Sequence, residues 1–352
     1  MIRVLVAEDS PTARALIVSM LESGGDFRVV AQAANGVEAV EMAERLRPDL
    51  ITMDVQMPEM DGLTATQAIM SRFPTPIIVV SSQADLRQAE LSLEATRAGA
   101  LIVLPKPVGP TSPGFAAQRD QLLAMAKAMS KVKVVRRWTS TAGATVTPQS
   151  IPRLSERSAP RVRSQLIAIG ASTGGPAALR DIFAALPADF PVPILVVQHI
   201  AKGFVAPLAH WLSGAGPIRV NVAGERDVLR PANVYLAPDD HHLGVRTSPD
   251  GMLLTSLSQS PPIGSFRPSA TQLFQSAAQV IGKALTAVIL TGMGDDGVKG
   301  LAAVRTAGGR IIAQDEASSV IYGMPREAVR AGLVDAVVSL NDIAAHLAQA
   351  VA

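Results

Sequence analysis

Along the first hundred residues, short apolar runs alternate with segments of helical period. The runs 2–7, 27–33, 50–53, 76–80 and 101–104 lack polar alternation, as expected of strands buried on both faces of a parallel sheet. Helical patterns lie between them at roughly 11–23, 36–46, 62–72 and 85–98, and another follows at 114–131. Five βα units in succession predict a doubly wound sheet whose functional edge is the carboxyl end of its strands.

From 132 to 164 the pattern dissolves. Lys133, Arg136, Arg137, Arg153, Arg157, Arg161 and Arg163 face one acid, Glu156, among Ser, Thr, Pro and Gly. This reads as a solvated linker rather than a nucleic-acid arm. The pattern then resumes, with strands at 165–170, 194–198, 218–223, 233–237, 287–291, 310–314 and 335–340. Helices are predicted from about 176 and over 204–213, 268–283, 297–307, 325–331 and 341–350. The Pro-, Asp- and Ser-rich stretch 221–260 reads as a β-hairpin and loop inserted in a mostly parallel α/β domain. The expected organisation is α/β in two domains, 1–131 and 165–352, joined by the linker 132–164.

Composition narrows the function classes. The chain has 352 residues, 48% of them hydrophobic and 18% charged, enough for two buried cores. A formal charge of +2 and 3% aromatics leave no basic, aromatic-interleaved face for nucleic acid. The absence of cysteine excludes disulfides, thiolate metal sites and a cysteine nucleophile. Acids at Glu8 and Asp9 argue against a signal peptide, and no apolar run approaches membrane-spanning length. A cytoplasmic protein without membrane insertion is expected.

Two groups of residues carry candidate chemistry. In the first domain Glu8 and Asp9 follow the first strand and Asp54 follows the third, so three carboxylates meet at one sheet edge. Clustered carboxylates invite a hard divalent cation such as Mg²⁺. Ser81 ends the fourth strand and Lys106 follows the fifth, in Pro105-Lys106-Pro107. Such a set can accept a phosphoryl group and hold its oxygens. Each residue alone has an ordinary structural reading, a helix N-cap region or a surface charge.

With Glu8-Asp9-Ser10, Met53-Asp54-Val55-Gln56-Met57-Pro58, Asp61-Gly62, Ser81 and Lys106-Pro107 in place, residues 1 to about 130 resemble the response-regulator receiver family. The resemblance implies that Asp54 takes phosphate from a histidine kinase, with Mg²⁺ on Glu8, Asp9 and Asp54, and that Lys106-Pro107 is a cis peptide. The chain departs from the family in having Glu8 where Asp is commoner. It also has Val103 where many receivers carry a switching aromatic.

In the second domain Gly170-Ala171-Ser172-Thr173-Gly174-Gly175-Pro176 joins a strand to a helix. The turn lifts Ser172 to the sheet's carboxyl edge beside helix-end N–H groups. It satisfies G-x-S-x-G, although glycine turns of this kind also cradle phosphates. Of the five histidines, His199 directly follows the adjacent strand and is the best-placed base. His210 lies in a helix and His346 near the terminus. His241 and His242, being adjacent, point apart and do not form a metal site. In Thr291-Gly292-Met293-Gly294-Asp295-Asp296-Gly297 one aspartate is free to bond a histidine and the other to cap a helix. The order Ser…His…Asp differs from the Ser…Asp…His of α/β-hydrolases.

Ile169–Pro176, Gln198-His199, Tyr235-Leu236-Ala237-Pro238, Arg267-Pro268-Ser269, Leu290–Gly297 and Tyr322-Gly323-Met324-Pro325-Arg326-Glu327-Ala328 together resemble the chemotaxis protein-glutamate methylesterase family, in its order and behind the same receiver. The resemblance implies hydrolysis of glutamate γ-methyl esters on methyl-accepting chemoreceptors, with methanol released and glutamine deamidation as a companion activity. It gives Ser172 as nucleophile, His199 as base and Asp296 as acid, with Asp295 replacing the family's usual Asn. It also implies an oxyanion site at the N–H groups of Thr173 and Met293, and no cofactor for the esterase step. Arg267 is expected either at the acidic receptor surface or in a structural salt bridge. The unphosphorylated receiver is expected to restrain the enzyme. Two other readings stay open, a binding-only second half that cradles a phosphate and a general esterase. The first is weakened by the absence of a lysine after the glycines.

Overall fold

The computed structural model describes residues 1–81, 100, 102–130, 132 and 162–352. The helix expected at 85–98 and most of the expected linker lie outside the described residues. Contacts divide the chain into two compact units, Met1–Thr147 and Pro148–Ala352.

The first unit is built on strands β1 (Ile2–Ala7), β2 (Phe27–Ala33), β3 (Leu50–Asp54), β4 (Ile77–Ser81) and β5 (Ile102–Pro105). Their order is β2-β1-β3-β4-β5, with every neighbouring pair parallel. Every residue of β3 and β4 is buried, which explains why neither run alternates. Helices span Pro11–Glu22, Gly36–Leu46, Gly62–Arg72 and Phe115–Met129. Ser10, Asn35 and Asp61 cap the first three through bonds from the N–H groups of Ala13, Glu38 and Thr64. Because Ser10 takes the cap, Glu8 and Asp9 remain outside the first helix. β5 runs one residue beyond the end of its apolar run, to Pro105. It is an edge strand, where the missing N–H of Pro105 costs no ladder bond.

The second unit holds a seven-stranded sheet in the order β14-β13-β12-β6-β7-β9-β8, again parallel throughout. Its strands are β6 (Leu166–Ala171), β7 (Ile194–Gln198), β8 (Arg219–Val222), β9 (Asn233–Leu236), β12 (Leu285–Ile289), β13 (Arg310–Gln314) and β14 (Ala336–Val338). The hairpin β10 (His242–Thr247) and β11 (Leu253–Ser258) forms a separate antiparallel pair. β12 ends earlier than its apolar run, because the Thr291 N–H turns to the Gln314 side chain at 2.8 Å. Ser164 already belongs to this unit, bonding Ala350 and Thr286.

The core of this unit fits a sequence poor in aromatics. Helix Ala270–Ile281 presents Ala270, Leu273, Phe274 and Ala277 to a cluster that takes in both the hairpin (Leu243, Val245) and the sheet (Ala168, Val197). Phe183, Phe190, Phe204 and Phe274 are fully buried, each contributing about 1.5–3 kcal/mol of transfer free energy. In each sheet the first strand of the unit is an inner strand. β1 lies between β2 and β3, and β6 between β7 and β12. A doubly wound sheet opens a crevice at this reversal of strand order. Among the described residues no helix is long and apolar enough to cross a membrane.

Candidate functional site

Both reversals of strand order carry polar clusters. In the first unit, carboxylate oxygens of Glu8, Asp9 and Asp54 lie within 4.8 Å of one another. Glu8 and Asp54 are buried and Asp9 is exposed. Asp9 also lines an open hollow with Gln56, Met57, Pro58 and Asp61. Lys106 Nζ donates to Glu8 Oε1 and to Asp54 Oδ2, each at 2.9 Å. The Lys106 N–H bonds the Ser81 carbonyl at 2.9 Å, bringing β4 and β5 together at the cluster.

Burial pushes the carboxyls of Glu8 and Asp54 above the usual range. The Lys106 hydrogen bonds oppose that shift, and the nearby acids, Asp54 for Glu8 and Asp9 for Asp54, add to it. Burial works to lower the Lys106 ammonium, but its bonds to Asp54 and Glu8 outweigh this and raise it. Glu8 Oε2 is buried with no partner. An anionic cluster with one unpaired buried oxygen beside an exposed carboxylate suits a hard cation. The cis peptide expected at Lys106-Pro107 is not found. The bond is trans, the form an X-Pro bond prefers by about 0.5–1 kcal/mol, and the cis bond among the described residues is Arg267-Pro268.

In the second unit Ser172 follows β6, His199 follows β7, and Asp296 lies in the loop after β12. The His199 N–H bonds the Ala171 carbonyl at 2.9 Å and the Ser172 N–H bonds the Thr291 carbonyl at 3.0 Å, drawing the three strand ends together. His199 Nε2 is 2.9 Å from Asp296 Oδ2, while its Nδ1 is buried and unpartnered. The ring stacks on Phe266, centroids 4.0 Å apart and planes 7° from parallel.

Asp296 is heavily bonded. Besides His199 it accepts from Ser269 Oγ (2.7 Å), the Ala270 N–H (2.7 Å) and the Thr271 N–H (3.2 Å). These donors open helix Ala270–Ile281, whose N-terminus favours an anion. Burial pushes the Asp296 carboxyl up, but bonds from His199, Ser269 and Thr271 and the adjacent imidazole outweigh it and hold the group well below the usual range. The same aspartate therefore orients the histidine and caps a helix distant in sequence. Asp295 is exposed, and only its carbonyl bonds the start of the next helix, at Val298.

Ser172 departs from a nucleophile elbow, which strains the serine itself. Here the left-handed residue is Gly174 at φ 80°, two positions later. Gly292 lies against the turn, where a Cβ would stand 2.7 Å from Ser172 Cβ. Among the described residues the N–H groups of Thr173 and Met293 find no protein acceptor. Among the described residues Arg267 makes no direct ion pair. Its Nη1 donates to the carbonyls of Gln259 and Ser260 at 3.1 and 3.2 Å. His241 turns to Gln259 and the Asp239 carbonyl, while His242 is buried against the Pro261 carbonyl. His210 lies on helix Val205–Ser213 and His346 on helix Leu340–Val351.

Phe266 and Ser269 went unassigned in the sequence. The signal for Ser269 was its place before a helical run, where it acts as the N-cap. Nothing local marks Phe266, because its partner His199 is far away in the chain.

The chain matches two family profiles, a response regulator receiver domain over residues 4–112 and CheB methylesterase over 167–347. It is 52% identical to protein-glutamate methylesterase/protein-glutamine glutaminase 4 of Myxococcus xanthus, over 99% of this chain and 97% of that one. It is 49% identical to protein-glutamate methylesterase/protein-glutamine glutaminase 3 of Anaeromyxobacter dehalogenans, over 99% and 98%. The crystal structure of the Thermotoga maritima CheB methylesterase catalytic domain superposes with a TM-score of 0.52 at 38% identity, covering 53% of this chain and 99% of that one.

Proposed function

This chain belongs to the CheB methylesterase family, with a response regulator receiver domain ahead of the catalytic one, and on that premise we propose that Ser172, His199 and Asp296 hydrolyse glutamate γ-methyl esters on chemoreceptors under control of Asp54 phosphorylation. The observation that carries the reading is the 2.9 Å bond from His199 Nε2 to an Asp296 already saturated by three other donors. A carboxylate held this way stays ionised and keeps the Nε2 proton, which leaves Nδ1 as the basic atom.

In the reaction Ser172 Oγ attacks the ester carbonyl carbon while His199 Nδ1 takes its proton. The oxyanion is received by the N–H groups of Thr173 and Met293. Methoxide then leaves, taking the proton from His199 as methanol. Water, deprotonated by the same nitrogen, releases the glutamate carboxylate and restores Ser172. With a glutamine side chain the same attack expels ammonia, the second activity named in the relatives. Arg267 supplies positive charge for an acidic receptor surface.

In the receiver, Asp54 is the acceptor for a phosphoryl group from a histidine kinase, and Lys106 and Ser81 meet its oxygens. Mg²⁺, when bound on Glu8, Asp9 and Asp54, supplies charge neutralisation for that transfer. The receiver spans 1–131 and the catalytic domain 165–352 with Ser164 bonded into it, and the linker lies between them. Acting on cytoplasmic receptor helices, the protein works in the cytoplasm. The test is methanol release from methylated receptor, with and without acetyl phosphate. Wild type should release methanol faster when phosphorylated, whereas equal release by wild type and Ser172→Ala would overturn the triad.

A further inference from the structure

Gln198 ends β7 with its side chain buried, and it lies outside the triad. Its Nε2 donates to the Ser172 carbonyl at 2.7 Å and to the His199 carbonyl at 2.9 Å. The opposite amide orientation would set Oε1 against two carbonyl oxygens, so the chemistry of the site settles which atom is the nitrogen. The fit allows no slack. Gln198 Oε1 is itself buried without a partner, and a Cβ added at Gly175 would fall 2.0 Å from it.

Peptide geometry turns these bonds into a statement about catalysis. The Ser172 carbonyl and the Thr173 N–H belong to one planar trans unit, in which C=O and N–H point in opposite directions. Holding the carbonyl inward therefore aims the Thr173 N–H outward. The second free donor is aimed by the same principle. The Gly292 carbonyl, which shares its peptide with the Met293 N–H, accepts from Gly323 at 3.1 Å and Met324 at 2.8 Å. Backbone groups alone thus aim this donor, whereas the Ser172 carbonyl is held jointly by the Gly175 N–H at 2.8 Å and by the Gln198 side chain. Because the same amide holds the His199 carbonyl, it also ties the base to the nucleophile turn.

We propose that Gln198 is a positioning residue that aims the Thr173 N–H at the reacting carbonyl and couples that donor to His199. The proposal rests on Ser172 being the nucleophile. Thr291 steadies the peptide that follows, donating its hydroxyl to the Thr173 carbonyl at 2.9 Å.

The test uses the full chain with Gln198→Met, close in size but with no donor, and Gln198→Glu, whose carboxylate would face two carbonyls. Methanol release from methylated receptor gives kcat and KM, and an alkyl fluorophosphonate reports the attack rate of Ser172 through a similar oxyanion. Loss of one oxyanion donor costs about 10²–10³-fold, so a misaimed one should lower kcat by roughly 10–100-fold. KM should stay within about twofold of wild type, phosphonylation should slow by the same factor as kcat, and the melting temperature should hold. Wild-type kcat in a folded Gln198→Met, or a rise in KM alone, would overturn the proposal. If Gln198→Met does not fold, Gln198→Glu decides, and failure of both to fold would assign the glutamine a purely structural role. Ser172→Ala measured alongside separates the two ideas. Activity surviving in it sinks the triad, whereas a dead Ser172→Ala beside an unimpaired Gln198→Met sinks only the role of Gln198.

Discussion

His199 offers Nε2, the far nitrogen of its ring, to Asp296 Oδ2 at 2.9 Å, and keeps Nδ1 buried and unpartnered. The chymotrypsin arrangement uses the two nitrogens the other way round. In both cases the carboxylate selects which nitrogen carries the proton.

The tautomer is directly measurable. In ¹⁵N-labelled protein at neutral pH, His199 Nε2 should be protonated and Nδ1 should show an imine-type shift. Asp296→Asn should scramble this preference. A resting enzyme with the proton on Nδ1 would contradict the assignment of the basic atom.

Asp296→Asn should lower kcat by about 10³–10⁴-fold with KM little changed, as expected when a triad acid loses its orienting charge. A carboxyl whose folded pKa is depressed stabilises the fold above its unfolded value, near 3.8, and that contribution is lost as pH falls through the folded value. Acid melting curves of Asp296→Asn should therefore be flatter below pH 4 than those of wild type.

Phe266 packs face to face with the catalytic imidazole. Phe266→Ala removes about 1 kcal/mol of ring contact and frees the ring to swing. The expected result is a kcat lower by roughly 3–10-fold, with most activity restored in Phe266→Tyr. Unchanged kinetics in the alanine variant would show that Asp296 alone holds the ring.

The acidic cluster of the receiver has the opposite sign of linkage. Burial raises the Asp54 carboxyl, so its contribution is intact below the ordinary 3.8 and is lost as pH rises through the folded value. Asp54→Asn should melt a few degrees higher than wild type at pH 7 in the receiver transition, with the gap closing on acidification. The same variant should take no label from acetyl phosphate. Labelling that persists would place the acceptor elsewhere.

Removal of the receiver unit, Met1–Thr147, tests the direction of control. Basal methanol release should rise if the unphosphorylated receiver restrains the enzyme. Unchanged or lower release would instead make the receiver an activator.

Much of this protein was legible along the chain because the signals were local. Buried parallel strands write themselves as unbroken apolar runs, and strand ends carry the chemistry, so Asp54, Ser172 and His199 could be placed at sheet edges by counting. Cap residues such as Ser10 and Asp61 sit beside the helices they cap. What sequence could not determine depends on which distant segments meet. The loop itself leaves open which of Asp295 and Asp296 caps a helix and which bonds a histidine, yet the Asp296 carboxylate does both, capping the helix at Ala270 and bonding His199, 97 residues away. The stack of Phe266 on His199 and the two hydrogen bonds that the Gln198 amide donates to carbonyls likewise have no periodicity to betray them. Hydrophobic spacing is a property of one element, whereas the partner of a hydrogen-bonding side chain is chosen only when the sheet brings β6, β7 and β12 side by side.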